Sequence, residues 1–409
     1  MNSQQPSPIY SGFASKEVCW EQKKMSDVFS RITKRNTSSN SNILTISALH
    51  GLVNQQEVYN KNIAANDTSN YYLLKKGDFA FNKSRSQEYP FGTIKRLKQY
   101  ENGVVSPLYI CFRLKSKDNP TFFEYYFETK EFNDKLGKIA QEGARNHGLL
   151  NFSIEEFFNI PLSIPPIEIQ DAIAATLSSL DDSIHFLEKA ICSLEKHKKA
   201  LLHSLFPLKG KFIPEICFDR LQGKKLWEIF KIGDCFIERT IRGNNELPLL
   251  SVTDEHGLIL QFESGKRLNS IVDKSKYLKV CKGDIVYNTM RMWQGRCAYA
   301  DIDGVVSPAY TVCKPKKGMD SLFFFYYFKT PKMIQEFRKY SQGLVDDTLN
   351  LKYKIFSQIQ IVIPTNISEQ KKIAKVLSNC DLLIKKETKK LEMLRLHKQG
   401  LIQQLFPHK

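Results

Sequence analysis

The sequence predicts an α+β protein in which two tandem α+β domains are separated by two long antiparallel coiled-coil helices and related by a pseudo-twofold internal repeat. Short motifs recur in the same order about 200 residues apart, each half mixes strand and helix patterns, and each half ends in a long heptad-like pattern. The predicted boundaries are 1–160 for the first domain, 161–212 for the first spacer helix, 213–360 for the second domain and 361–409 for the second spacer helix.

The internal repeat rests on five pairs of matching segments. The pairs are Lys23–Phe29 with Lys224–Phe230, Lys76–Asn82 with Lys282–Asn288, Gly103–Pro107 with Gly304–Pro308, Phe122–Phe127 with Phe323–Phe328, and Leu205–Pro207 with Leu405–Pro407. Chance does not produce five matches in the same order. We therefore interpret the chain as a duplicated globular unit, each copy followed by a connecting segment.

Each globular unit combines strand and helix patterns. β-branched and aromatic runs bounded by Gly, Asn and Pro predict strands, and longer aromatic-rich segments predict helices. The predicted strands are Asp78–Asn82, Leu108–Leu114, Ile285–Asn288 and Tyr310–Cys313, and the predicted helices are Phe122–Leu136 and Leu322–Lys339. Each unit is therefore predicted to be α+β.

The connecting segments carry apolar residues at alternating spacings of three and four, which is typical of a coiled-coil seam. The seam contains Leu180, Ile184, Leu187, Ile191, Leu194 and Lys198 in the first copy and Ile384, Leu391, Leu394 and Lys398 in the second. For the two lysines, a stem that extends its charge to water is favoured over a polar contact that fixes the register. Under twofold symmetry the helices are antiparallel, and about 36 helical residues at ~1.5 Å each hold the units roughly 50 Å apart.

The composition favours a cytoplasmic protein that binds a polyanion. The net charge is +17, of which the helical segments 170–206 and 366–406 carry −1 and +5, so most of the basic excess lies on the globular units. Such a surface attracts nucleic acid. We expect no export signal and no membrane span, since the densest apolar run is Leu322–Phe328. Nine scattered cysteines without a C-x-x-C pair predict reduced core residues.

Side chains that can form two hydrogen bonds with a base edge cluster after the repeated Gly-Asp strand. The candidates for DNA binding are Asn82, Lys83, Arg85 and Gln87 in the first unit and Asn288, Arg291, Trp293, Gln294 and Arg296 in the second. A second polar segment adds Arg145, Asn146 and His147, which correspond to a segment with Asp346 and Asp347 in the other copy. The loops diverge while their strands agree, as expected for two domains that bind different half-sites. Solvated loops without such a role are the alternative interpretation.

The sequence carries no recognisable catalytic motif. It contains no phosphate-binding loop, H-E-x-x-H motif or G-x-S-x-G elbow. The string closest to the Asn-Pro-Pro-Tyr signature of amino-methyltransferases, Asp118–Thr121, lacks the second proline and the aromatic residue. We expect neither a catalytic residue nor a metal site in this chain.

The doubled order of motifs resembles the specificity (S) subunit of type I restriction-modification systems, over essentially the whole chain. The resemblance rests on Trp20–Met25, the Gly-Asp and Val-Ser-Pro segments, the Ile-Pro runs before each helix, Gln170 and Gln370 at the helix starts, and the Leu-Phe-Pro endings. One departure is the start of the second unit, where Pro214–Phe218 matches the family pattern but Trp227 is displaced toward the strand.

The resemblance implies two target-recognition domains that each bind half of a split site in double-stranded DNA. The helices would act as a spacer and as docking surfaces for two methyltransferase (M) subunits, and restriction (R) subunits would join them. S-adenosylmethionine, ATP and Mg would be bound by those partners and none by this chain, which is itself no enzyme. Two alternatives stay open: a duplicated coiled-coil scaffold that binds two protein partners without DNA, and a recognition subunit of another restriction-modification type.

Overall fold

The computed structural model describes residues 19–37, 39–47, 51–58, 67–86, 89–142, 148, 150–208, 210–218, 227–253, 257–264 and 274–407. The chain forms two compact units, one comprising Met1–Phe186 with Leu391–Lys409 and the other Leu187–Lys390. Each of the two long helices therefore contributes to both units. Within the described segments, no helix combines the length and the apolar character needed to cross a membrane.

The first unit is built from short strands and helices that precede the first long helix. They are β1 (Glu21–Lys24), α1 (Met25–Val28), β2 (Phe29–Arg31), β3 (Leu44–Ser47), β4 (Gly51–Asn54), α2 (Gln55–Val58), β5 (Tyr72–Lys75), β6 (Phe79–Asn82), β7 (Thr93–Arg96), β8 (Asn102–Val105), β9 (Ile110–Leu114), α3 (Pro120–Tyr126), α4 (Lys130–Ile139), β10 (Gln141–Glu142), β11 (Leu150–Asn151), α5 (Ile154–Phe158), β12 (Pro161–Ile164) and α6 (Ile167–Ser204). The central antiparallel sheet has the order β2-β9-β6-β7.

The second unit repeats this order. Its elements are β13 (Trp227–Lys231), α7 (Ile232–Cys235), β14 (Phe236–Glu238), β15 (Leu250–Thr253), β16 (Gly257–Leu260), the 3-10 helices Gln261–Ser264 and Lys274–Lys276, β17 (Leu278–Val280), β18 (Ile285–Asn288), the 3-10 helix Met292–Gln294, β19 (Cys297–Tyr299), β20 (Gly304–Val306), β21 (Tyr310–Pro315), α8 (Ser321–Phe328), α9 (Pro331–Tyr340), α10 (Tyr353–Phe356), β22 (Gln360–Pro364) and α11 (Ile367–Leu405). The central sheet has the order β14-β21-β18-β19, which matches β2-β9-β6-β7 position by position.

The predicted strands and the internal repeat are confirmed, but the first pair of repeat segments was in the wrong register. Lys231 precedes a one-turn helix whose Asp234 carboxylate accepts a hydrogen bond from the Lys231 amide, at 2.8 Å. Lys24 and Asp27 form the same contact at 2.9 Å. The equivalent of Met25–Phe29 is therefore Ile232–Phe236, not a segment within Lys224–Phe230.

This corrected register places Trp227 where Trp20 stands in the first unit. The Trp20 ring centroid lies 6.3 Å from that of Phe122, and the Trp227 centroid lies 6.2 Å from that of Phe323. Trp227 is thus not displaced, and the same Trp-Glu pair stands at the start of β1 and of β13. The match of Pro214–Phe218 to the family's opening pattern stays a prediction, because the equivalent residues of the first unit lie outside the described residues.

The segments predicted as single aromatic helices are each two helices. Thr129 interrupts the first: its hydroxyl donates to the Tyr126 carbonyl at 2.7 Å and accepts from the Phe132 amide at 3.2 Å, which caps α4. Thr330 makes the same contacts with Tyr327 and Met333 before α9. The helical spacing of the aromatic residues was correct, but the capping threonine between the two helices was missed.

Each long helix carries a glutamine at the equivalent position in its first turn, and this residue holds it to its globular unit. The Gln170 side chain accepts from the Asn119 amide at 2.9 Å and donates to the Pro165 carbonyl at 2.9 Å. Gln370 makes the matching contacts with Asp320 and Pro364 at 2.9 and 3.0 Å. Both glutamines are buried. Each side chain thus bonds the backbone at the start of a short aromatic helix (α3 or α8) and the backbone at the end of the strand before its own long helix. These two bonds fix the direction in which the long helix leaves its unit.

All ten seam side chains are buried or half-buried, whereas their neighbours on the outer face of each helix are exposed. Asp181 and Lys198 of α6 contact Lys398 and Asp381 of α11, respectively, so the contacts follow opposite directions along the two helices, which are therefore antiparallel. The Leu-Phe-Pro ends pack on the aromatic helices. Phe206 stacks on Tyr327 at 5.0 Å in the second unit, and Phe406 lies 5.4 Å from Phe122 in the first.

The prediction that Lys198 and Lys398 extend to water is wrong. The Lys398 ammonium lies 2.6 Å from the Asp181 carboxylate, and the Tyr125 hydroxyl donates to the same carboxylate at 2.7 Å. In the second unit Lys198 pairs with Asp381, to which Tyr326 donates at 2.7 Å. Burial, more than the hydrogen bond to Asp381, raises the pKa of Tyr326 and keeps its hydroxyl a donor. These two Lys-Asp-Tyr junctions join both helices to a globular unit.

Candidate nucleic-acid interface

A buried aspartate directly precedes the strand that leads into each predicted DNA-binding loop. Gly77 and Gly283 have φ values of 93° and 92°, so each supplies the left-handed residue of a tight turn that a side chain would strain. The Asp78 carboxylate accepts from the Lys75 amide at 2.7 Å, and the Asp284 carboxylate accepts from the Cys281 amide at 2.8 Å. The turn thus fixes the start of β6 and of β18.

An arginine completes this arrangement, but from a different strand in each unit. The Arg113 guanidinium, on β9, donates to both Asp78 oxygens at 2.6 and 2.7 Å. The Arg239 guanidinium follows β14 and donates to both Asp284 oxygens at 2.7 and 2.9 Å. These hydrogen bonds raise the pKa of Arg113 and of Arg239. Bidentate pairs of this kind are geometrically specific, so the frame below both loops is the same.

Each loop also begins in the same way. The Asn82 side-chain oxygen accepts from the Ser84 amide at 3.0 Å, and the Asn288 oxygen accepts from the Met290 amide at 2.9 Å. Such contacts are typical of Asx turns. The oxygens of both predicted asparagines therefore shape the loop backbone.

The loop of the first unit contacts residues that follow the second predicted polar segment in sequence. The Arg85 amide donates to the Gly148 carbonyl at 2.7 Å, and the Leu150 amide donates to the Lys83 carbonyl at 3.0 Å. The Lys83 ammonium lies 5.8 Å from the centre of the Phe152 ring. Arg85 is exposed, and its Nε donates to the Pro90 carbonyl at 3.1 Å. The predicted residues Gln87, Arg145, Asn146 and His147 lie outside the described residues.

The loop of the second unit contains a 3-10 turn that separates buried from exposed side chains. Met292 and Trp293 are buried, and the Trp293 indole donates to the Met290 carbonyl at 3.1 Å. Gln294 and Arg296 are exposed and Arg291 is half-buried. A direct base contact by Trp293 is therefore not supported, because the residue is only 8% exposed and its indole N–H is already bonded.

A second loop of this unit, 341–350, lies against the first. The Leu351 amide donates to the Thr289 carbonyl at 2.9 Å. Asp346 and Asp347, which sequence considerations left as base contacts or turn caps, each contact an arginine. Arg338 Nη2 lies 2.8 Å from Asp346 Oδ1, and Arg291 Nη1 lies 3.4 Å from Asp347 Oδ1. Exposed pairs of this kind contribute little to the free energy of unfolding.

Arg338 was not predicted as a site residue. It lies in α9, where helical spacing alone suggests a solvated surface position, and its guanidinium carbon is 4.8 Å from the centre of the Trp293 ring. Trp293 lies in a different element, well before α9 in the sequence, so no local motif marks the pair. The signal available in the sequence was the basic end of α9 itself.

A groove of about 750 Å³ adjoins the loop of the first unit, beside β7, α4 and the last turns of α11. Its lining includes Tyr89, Phe91, Lys95, Asn133, Arg395 and Gln399. The Lys95 ammonium in this lining pairs with Glu128 at 2.8 Å. Among the residues that the structure describes, no group of three or more His, Cys, Asp or Glu side chains could hold a metal ion.

Comparison with known proteins identifies the family. The model of the type I restriction modification DNA specificity domain matches residues 17–196 and again residues 220–395. The chain belongs to this family. The two matches coincide with the two copies of the repeat, and the resemblance drawn from the doubled motifs is confirmed: the chain is a type I specificity subunit.

Two relatives of this specificity subunit come from Methanocaldococcus jannaschii. A protein provisionally named the type I restriction enzyme MjaX specificity subunit is 27% identical over 371 residues, which cover 86% of this chain and 82% of the relative. The type I restriction enzyme MjaVIII specificity subunit is 24% identical over 342 residues, covering 78% and 73%. Both alignments span the two units.

Solved structures share the fold. The S subunit of a type I restriction-modification system from M. genitalium aligns with a TM-score of 0.56 at 14% identity, covering 97% of this chain and 98% of that one. A chain from a structure describing complex assembly and conformational transition of the type I R-M system aligns with a TM-score of 0.54 at 14% identity, covering 95% and 98%. The predicted α+β class with two domains and coiled-coil helices is thus confirmed.

Proposed function

We propose that this chain is the non-catalytic, cytoplasmic subunit that recognises the DNA sequence, and that each globular unit binds one half of a bipartite site. The observation that carries this proposal is that the same contacts hold the loop after β6 in the first unit and the loop after β18 in the second. In both units an Asp-Arg pair and an Asx turn hold a loop with an exposed arginine. An invariant frame with divergent loops suits two domains that bind different sequences.

We further propose that the long helices dock two methyltransferase subunits, with restriction subunits joining the complex. Large apolar side chains on the outer faces of the helices support this: Phe186, Leu382, Met393 and Leu396 are 72%, 65%, 61% and 68% exposed. Exposed apolar residues on otherwise charged helices mark protein interfaces. S-adenosylmethionine, ATP and Mg belong to those partners in this proposal.

The first experiment selects duplexes from a random library with the full-length chain and sequences them. We expect two enriched half-sequences separated by a fixed unspecified spacer. Affinity should fall steeply with salt, because each neutralised phosphate releases ~0.9 counterion. A chain that enriches no sequence, or that binds independently of salt, contradicts the proposal and favours a scaffold that binds only protein.

The second experiment tests whether the helices set the spacer. One heptad is inserted after Phe186 and another after Lys390, where the division between the compact units falls. Seven residues lengthen a helix by ~10 Å and keep the seam in phase. At ~3.4 Å per base pair, the selected site should keep both half-sequences and gain about three base pairs between them. Altered half-sequences or an unchanged spacer would contradict a spacing role for the helices.

A further inference from the structure

We propose that Arg338 is a specificity-determining residue of the second unit, which contacts a guanine in the half-site bound there. The inference rests on the proposed DNA recognition and adds a residue to it. Arg338 lies near the end of α9, with 54% of its side chain exposed, beside the loop that carries Arg291, Gln294 and Arg296. It therefore belongs to the same surface as the residues predicted from sequence.

The guanidinium of Arg338 is held in one orientation by two contacts. Its carbon lies 4.8 Å from the centre of the Trp293 ring, and Nη2 lies 2.8 Å from the Asp346 carboxylate. Trp293 is itself fixed, because it is buried and its indole N–H is bonded to the Met290 carbonyl. Stacking on an aromatic face and one carboxylate contact orient a planar group far better than solvent does.

The contacts leave Arg338 able to form further hydrogen bonds. A guanidinium has five N–H donors in a planar fork, and the contact with Asp346 uses one of them. Guanine presents O6 and N7 side by side in the major groove, and an arginine fork matches this pair. Because the orientation exists before DNA binds, less side-chain entropy is lost in the complex. A preoriented fork favours a base contact over a phosphate contact, which a flexible lysine makes equally well.

The first unit has no such residue at the equivalent position among the residues that the structure describes. Thr129 and Thr330 cap α4 and α9, so Arg338 corresponds to Gly137. A Cβ on Gly137 would lie 2.8 Å from the Phe91 ring. The aromatic residue of that loop thus packs directly on the helix, and no cation can stand between them. The two units differ here by one oriented charge, as expected for domains that bind different half-sites.

The test is selection from a random duplex library with the full-length chain and with Arg338→Ala, Arg338→Lys and Lys339→Ala. We expect Arg338→Ala to lower the preference for guanine at one position of one half-site by roughly 5- to 150-fold. Arg338→Lys should keep overall affinity but lose that preference, because an ammonium cannot form the two parallel bonds. Lys339→Ala removes the same charge from the neighbouring exposed residue and should leave the preference intact.

Each other outcome contradicts the inference. If Arg338→Ala weakens binding to all sequences equally and reduces the salt dependence, Arg338 is a phosphate contact. If the selected motif is unchanged, it contacts no DNA. In both of these outcomes the wild-type chain still enriches two half-sites. The proposed DNA recognition is then supported, and only the proposed role of Arg338 is contradicted. A wild-type chain that enriches no sequence overturns both. Unchanged protection of the buried Cys297 thiol from alkylation shows that each variant is folded.

Discussion

The two units make the same Asp-Arg pair with arginines from different strands, whereas their loop surfaces differ in charge and shape. Strand pairing shows that Arg113 of the first unit corresponds to Lys314 in the second, and that Arg239 corresponds to Ile32. The pair is preserved although neither arginine position is. The geometry at the start of β6 and β18 is therefore retained whichever position supplies the arginine. The sequence differences between the units are concentrated in the loops that follow these strands.

The core beneath the loops also differs in residue type between the two units while its strands keep the same arrangement. In the first unit Phe79 and Phe112 stack with centroids 5.4 Å apart. The paired positions in the second unit are Ile285 and Cys313, both fully buried. A phenylalanine stack and an aliphatic-thiol contact support the same four strands, since packing depends on filled volume more than on residue type.

Loss of the aspartate carboxylate from the Asp-Arg pair should lower the free energy of unfolding more than any other change proposed here. The size of the effect should differ between the two units. Asp284→Ala leaves Arg239, 12% exposed, without its partner, and breaking a buried pair costs about 3–5 kcal/mol. Asp78→Ala leaves Arg113, 46% exposed, in reach of water, so after solvent screening we expect a loss of about 1–2 kcal/mol.

The two losses can be measured separately by pulsed thiol alkylation along a denaturant series. Burial raises the pKa of Cys111 to about 12 and that of Cys297 to about 11, so neither thiol reacts at neutral pH while its unit is folded. Cys111 reports on the first unit and Cys297 on the second. Equal destabilisation of both units would show that exposure of the arginine does not govern the difference.

Moving the arginine should restore the pair. Arg239→Ile places the first unit's residue in the second unit and leaves the Asp284 carboxylate unpaired. Adding Lys314→Arg recreates the arrangement of Arg113, and we expect it to recover about 2 kcal/mol of the free energy of unfolding. Lys314→Arg alone, at an exposed position, serves as the control and should be neutral. If the double variant is no more stable than Arg239→Ile, the two arginine positions are not equivalent.

The loops should affect binding one half-site at a time. Arg291→Ala is expected to cost about 1–3 kcal/mol at one position of the second half-site. Arg85→Ala, the matched change in the first unit, should alter only the first half-site. Selection of duplexes by each variant measures both half-sequences in one experiment. A loss shared by both half-sites, or one spread over all sequences, would make these residues phosphate contacts.

Periodicity and repetition were enough to predict the strands, the two long helices and the duplicated architecture, because all of these follow from local patterns. The features that the sequence did not reveal depend on contacts made in the folded chain, which local patterns do not encode. Lys224–Phe230 resembles Lys23–Phe29 more closely than Ile232–Phe236 does, yet only strand pairing reveals the true equivalent. Arg338 depends on Trp293 and Asp346, which no spacing rule connects to it.

The Lys-Asp-Tyr junctions should make the smallest contribution to the free energy of unfolding, and this contribution should be similar in the two units. Lys398 and Lys198 were expected to reach water, but each pairs with an aspartate of the opposite long helix, some 200 residues away in sequence. Lys398 is 19% exposed and Asp181 is 42% exposed, so solvent screens the pair in part. We expect Lys398→Met to lower the free energy of unfolding of the first unit by about 0.5–1 kcal/mol.

The matched change Lys198→Met should lower the stability of the second unit by a similar amount, since Lys198 is 25% and Asp381 41% exposed. A double-mutant cycle with Asp181→Asn isolates the coupling between Lys398 and its carboxylate, and Lys389→Met, at an exposed position off the seam, is the control. The same thiol reporters separate the units. A coupling free energy of zero in the cycle would mean that Lys398 contributes only its aliphatic stem, and the junction would then have no part in fixing the register of the helices.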